Sequence, residues 1–148
     1  MKRTLALMFG LIFLSGCMGH QFGPIEPLEP KMTSYVTHTM VSSLRPRFQW
    51  SDSQGTPSTV YDLAIWESVV TEDRKLIPGE RVHFREGITG TSYTLDTPLK
   101  PRMIYLWSVR RSSDSSWTTV RSWYAVATPI GSGAGSSNKY FIFNTPEH

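Results

Sequence analysis

The sequence predicts an all-β domain, a sandwich of roughly 7–8 antiparallel strands that follows a leader and a linker. Three observations lead there. From about residue 34 apolar residues alternate with polar ones in short runs, the period of a half-buried strand. Clusters of Ser, Gly, Asp and Pro separate those runs. No stretch of that region holds a 3.6-residue apolar period long enough for a helix. The chain has 148 residues, enough for one core and a tail but not for two cores. Its 12% aromatic and 18% charged content argues against wholesale disorder.

Each element has a local reason. Residues 35–41 alternate well enough for a first strand. Arg47-Phe48-Gln49-Trp50 puts Phe48 and Trp50 on one face of a second. Residues 51–57 are a loop by composition. Residues 60–67 make the strongest strand, with Tyr61, Leu63 and Ile65 on one face and Val60, Asp62, Ala64 and Trp66 on the other. Residues 71–75 form a charged turn, and residues 82–85 a short strand near a sheet edge, where charge discourages further pairing. Residues 92–95 add a strand. Residues 103–110 alternate cleanly, Met103, Tyr105, Trp107 and Val109 against Ile104, Leu106, Ser108 and Arg110. Residues 112–116 are a polar turn.

The run Leu99-Lys100-Pro101-Arg102-Met103-Ile104-Tyr105-Leu106-Trp107-Ser108-Val109 resembles the signature Leu-x-Pro-x-Thr-x-Tyr-x-Val-x-Val of fibronectin type III domains. Met103 stands where that family usually has Thr, and Trp107 where it has Val. Phe48-Gln49-Trp50, Tyr61-Asp62-Leu63 and Thr91-Ser92-Tyr93-Thr94-Leu95 are similar to its B, C and E strands, in order, over residues 34–146. The resemblance implies an immunoglobulin-like sandwich. It also implies a tyrosine corner, with the Tyr105 hydroxyl bonded to upstream backbone. Trp50 and Trp107 would then fill the core without a disulfide.

The C-terminal part departs from that pattern. Residues 120–128 read as an extra strand, residues 131–138 as a flexible glycine-rich loop, and residues 140–143 as the final strand. The insertion over about 117–138 is the expected carrier of specific function, since loops on a rigid scaffold commonly are.

The N-terminus reads as an address. Lys2 and Arg3 precede ten uncharged, mostly apolar residues, 5–14, and then small residues, the order of a secretory signal. The run is too short for a spanning helix, which needs about 20 apolar residues. Leu14-Ser15-Gly16-Cys17 resembles the lipobox of bacterial lipoproteins, and Cys17 is the chain's single cysteine. That resemblance implies cleavage before Cys17, acylation there, and a membrane anchor. Several acyl chains on one residue hold firmly, at about 0.8 kcal/mol per buried CH₂. In Gram-negative members an Asp after the cysteine commonly signals inner-membrane retention. Met18 stands there instead, which implies the outer membrane. Residues 1–16 are thus expected to be the signal and residues 17–33 a tether, with Pro24, Pro27 and Pro30 spaced as a polyproline spacer or a plain linker would be. Loss of residues 1–16 removes Lys2 and Arg3 and no acid. The charge drops from +3 to +1, too little for a nucleic-acid partner.

Catalytic and cofactor patterns do not emerge. The 131–135 run lacks the Lys-Ser/Thr and the strand–helix context of a phosphate loop. His20, His38, His83 and His148 have no metal-ligand spacing, and no Gly-x-Ser-x-Gly elbow occurs. No metal, cofactor or catalytic residue is therefore assigned, and a non-enzymatic binding or envelope-assembly module is expected. Scattered acids leave a small hydrolase as a remote alternative. Trp66, Trp117, Trp123 and Tyr124 lie off the expected core face or in the atypical region. They fit three roles: a second buried layer, a surface for an envelope protein, or a platform for a glycan such as peptidoglycan.

Overall fold

The computed structural model describes residues 18–21, 23–31, 39–128 and 131–148, with side chains over 23–31, 39–119 and 140–148. The expected signal, Cys17 and most of the expected first strand lie outside the described residues. Those described form strands joined by turns and loops. In order they are β1 (Met18–Gln21), β2 (Ile25–Glu29), β3 (Thr39–Met40), β4 (Arg47–Asp52), β5 (Val60–Val70), β6 (Leu76–Thr89), β7 (Ser92–Thr94), β8 (Ile104–Arg111), β9 (Val120–Thr128), β10 (Gly131–Lys139) and β11 (Phe141–Asn144).

Two sheets pack as a sandwich. One has three strands in the order β2-β4-β7, the other five in the order β3-β11-β8-β5-β6. All pairings are antiparallel except β3 with β11. A further sheet, β1-β9-β10, is built from the β9–β10 hairpin inserted between β8 and β11.

The core forms where the alternating apolar faces meet. Phe48 and Trp50 of β4 face Tyr61, Leu63 and Ile65 of β5, Tyr105, Trp107 and Val109 of β8, and Phe141 and Phe143 of β11. Trp50 is 1% and Trp107 0% exposed, as their strand parity predicts. Phe48 lies 5.0 Å from Trp107, tilted, and 5.7 Å from Phe143, edge to face, centroid to centroid, arrangements aromatic quadrupoles prefer to a face-to-face sandwich. The Tyr105 hydroxyl accepts the backbone N–H of Lys100 at 3.1 Å, so the buried phenol has its partner.

Three local expectations need correction. Residues 25–29, read as tether, form β2 against β4, and Ile25 is 2% exposed in the core. The prolines mislead because Pro27 sits in an edge strand beside a register shift, where a missing N–H costs no ladder bond. Residues 131–138, read as a flexible loop, belong to β10, paired along its whole length with β9. The expected 82–85 strand is also longer, running from 76 to 89 with three register shifts against β5. One shift coincides with Gly87 at φ +71°, a conformation that favours glycine.

Candidate functional site

The face of the five-stranded sheet turned away from the core carries the chemistry. Alternation on β5 and β8 puts Asp62, Ala64 and Trp66 beside Arg110, Ser108 and Leu106, in that register. Phe84 of β6 continues the Ala64 row, and Ile142 of β11 the Leu106 row. The small pair Ala64 and Ser108 is fully buried although it lies outside the main core. The segment after β8 covers it: the Ser108 hydroxyl donates to the Thr118 carbonyl, and the Thr118 N–H donates to the Val109 carbonyl at 3.3 Å.

That segment delivers Trp117. Its ring meets Trp66 at 5.5 Å and 89°, and Phe84 at 6.0 Å and 79°. Tyr140, where the hairpin returns to β11, meets Trp66 at 5.0 Å. Two guanidiniums sit over rings, Arg110 over Trp117 at 4.7 Å and Arg81 over Phe84 at 4.5 Å. All four rings are half-buried.

Arg110 is held from beneath. Its Nε donates to Asp62 Oδ2 at 3.2 Å, while Asp62 Oδ1 accepts from the Ser112 hydroxyl at 2.6 Å and, more weakly, from the Gly87 N–H at 3.4 Å. Asp62 is only 4% exposed, so its charge needs these partners. The neighbouring Arg111 makes a second anchor. It donates through Nε and Nη2 to the two oxygens of Asp52 at 2.8 and 2.6 Å, joining the end of β8 to the end of β4 across the sandwich. The Tyr61 hydroxyl and the Gln54 N–H also donate to Asp52. The Arg111 hydrogen bonds hold the Asp52 carboxyl below its usual pKa, against the opposing effect of burial.

His83 lies at another end of the sandwich, stacked on Tyr93 at 5.6 Å, with Nε2 buried and lacking a hydrogen-bond partner. Burial lowers its pKa from 6.5. It borders a cavity of about 130 Å³ shared with Glu67, Leu99, Lys100 and Tyr105, where Lys100 pairs with Glu67 at 2.7 Å. Among the described residues, no group of three or more His, Cys, Asp or Glu side chains is placed to hold a metal ion.

Of the sequence-derived interaction residues, Trp66 and Trp117 come together. Trp123 and Tyr124 lie in β9, opposite Ser136 and Gly135 of β10 and Gly19 and Met18 of β1; their side chains are outside the described residues. Sequence reasoning missed Phe84, Tyr140, Arg81 and Arg110 as members of the cluster. Phe84 sits past register shifts that alternation does not reveal. Comparison with family models, curated proteins and solved structures finds no match to this chain.

Proposed function

We propose that this chain is a lipid-anchored protein of the bacterial envelope, held at the outer membrane through Cys17. In this reading a fibronectin type III-like sandwich acts as a non-enzymatic binding module for an envelope protein. The observation that carries the reading is the cluster of Trp66, Phe84, Trp117 and Tyr140 with Arg81 and Arg110. Aromatic and arginine side chains dominate the energetics of protein interfaces, and this cluster supplies neither nucleophile nor general base. The lipobox-like run supports the anchor. The strand order and the Tyr105 corner support the fibronectin type III likeness.

A glycan platform needs an open ring face. Trp66 and Trp117 meet edge to face and are half-buried, which favours a protein partner over a sugar. The test is cross-linking and co-purification of the full chain from its native envelope, beside Arg81→Ala and Tyr140→Ala. The reading expects a specific co-purifying protein that both variants lose while keeping their melting temperature. Equal recovery with both variants would falsify the surface assignment. Quenching of tryptophan emission by peptidoglycan fragments would transfer the site to the glycan reading.

A further inference from the structure

The β9–β10 hairpin and β1 together point to a second membrane contact. β9 and β10 have 9 residues each, and the sequence carries no charged side chain between Arg121 and Lys139. β1 runs antiparallel to β9, with Gln21 opposite Arg121 and Met18 opposite Tyr124. Its N-terminal end is therefore directed toward the closed end of the hairpin, where Thr128 pairs with Gly131. Cys17 is one peptide from Met18, within about 3.8 Å between Cα atoms.

A chain that leaves a bilayer at Cys17 runs through β1 away from the lipid, so the closed end of the hairpin lies on the lipid side. At about 3.4 Å per residue, Thr128 lies about 14 Å beyond the level of Tyr124 and Met18. That length crosses a headgroup layer but not a hydrocarbon core about 30 Å thick. Full insertion is also opposed by the open sheet: unpaired backbone groups on its two edges would each cost several kcal/mol in hydrocarbon. Trp123 and Tyr124, level with β1, are the residue types that collect at bilayer interfaces.

We propose that the closed end of the β9–β10 hairpin seats in the interfacial layer of the bilayer that holds the Cys17 anchor. The inference rests on the reading of Cys17 as acylated. Anchor and hairpin would then grip the membrane at two points and fix the orientation of this sheet, where a single flexible attachment would leave it free to tumble.

The test uses the acylated full chain, whose one native cysteine is blocked by lipid. Ala127→Cys near the closed end and Lys139→Cys at the base each receive a polarity-sensitive fluorophore, with Thr128→Cys as a second tip position. The labelled proteins are reconstituted into phosphatidylethanolamine–phosphatidylglycerol vesicles carrying lipids spin-labelled near the headgroup. The tip probes should shift to the blue and lose emission to the spin labels, and the Lys139 probe should stay water-like. Equal signals at tip and base, on protein that carries lipid and floats with the vesicles, overturn the hairpin contact and leave the anchor standing. Absence of lipid mass on Cys17 overturns both.

Discussion

Arg110 and Arg111 are neighbours that serve opposite sides of one strand. Arg110 reaches Asp62 under the outer aromatic cluster, and Arg111 reaches Asp52 across the sandwich. Strand alternation separates them, and each meets its own aspartate. The partners lie 48 and 59 positions away in the chain, which no local pattern reveals. The Tyr105 hydroxyl is the opposite case: its partner, the Lys100 N–H, lies only five positions upstream, and the resemblance of residues 99–109 to the fibronectin type III signature implies the contact. The Asp52 side chain is 1% and that of Arg111 19% exposed. Arg111→Ala should therefore cost about 3 kcal/mol, the low end for stranding one member of a buried pair, measured by urea denaturation. Because the folded pKa of Asp52 is lowered from 3.8, its contribution is present above that value and is lost as pH falls through the folded pKa. Asp52→Asn should flatten that acid limb; an unchanged limb would assign the acid loss to other groups. His83 acts at higher pH. Its folded pKa is also depressed, so the unfolded chain takes up the proton first and stability drops as pH falls below 6.5. His83→Phe should remove the part of the slope that sets in as pH falls through 6.5, and a slope the substitution leaves intact would contradict an imidazole kept neutral by the burial of Nε2.

Elements were legible wherever alternation was strict. β4, β5 and β8 declare their buried faces because one parity is aromatic or aliphatic over the stretch that meets the core, Phe48 and Trp50, then Tyr61, Leu63 and Ile65, then Tyr105, Trp107 and Val109, before a charged residue follows on the same parity. β10 does not, because Gly, Ser and Ala have weak strand preference and it owes its structure to pairing with β9. Gly135→Pro should therefore break the ladder opposite Tyr124 and speed amide exchange across β9 as well as β10. Exchange that stays slow in β9 would show that the hairpin does not depend on this pairing. The covering segment 115–119 was equally hidden, since a connection that folds back over Ala64 and Ser108 has no periodic signature. Trp117→Ala should uncover that face and cost about 2 kcal/mol, less than the 3–5 typical of a fully buried tryptophan, because the ring is half-exposed; an unchanged melting temperature would mean that the cover is not structural.

At the scale of the whole molecule, one core holds two sheets together without a disulfide, and its largest buried side chains are Trp50 and Trp107. Trp107→Ala, in contact with both Phe48 and Phe141, should cost about 3–5 kcal/mol. Outside that core the chain divides its tasks. In the proposed reading the N-terminal residues give the address, while the outer sheet face offers rings and guanidiniums and the inserted hairpin pairs through β9 with β1. The fold class was readable from period and punctuation. The cluster was half-readable, because Trp66 stands out by parity and Trp117 by its place in the atypical C-terminal region, while their partners arrive from β6 and from the base of the insertion. The central claim is that this sandwich works at a membrane to which Cys17 fastens it. The most direct test is the intact mass of the protein extracted from its native envelope, with sequencing of its N-terminal peptide. The account predicts a chain that begins at Cys17 and carries the added mass of its acyl chains. A chain that still begins at Met1, or one with an unmodified Cys17 thiol, would contradict it.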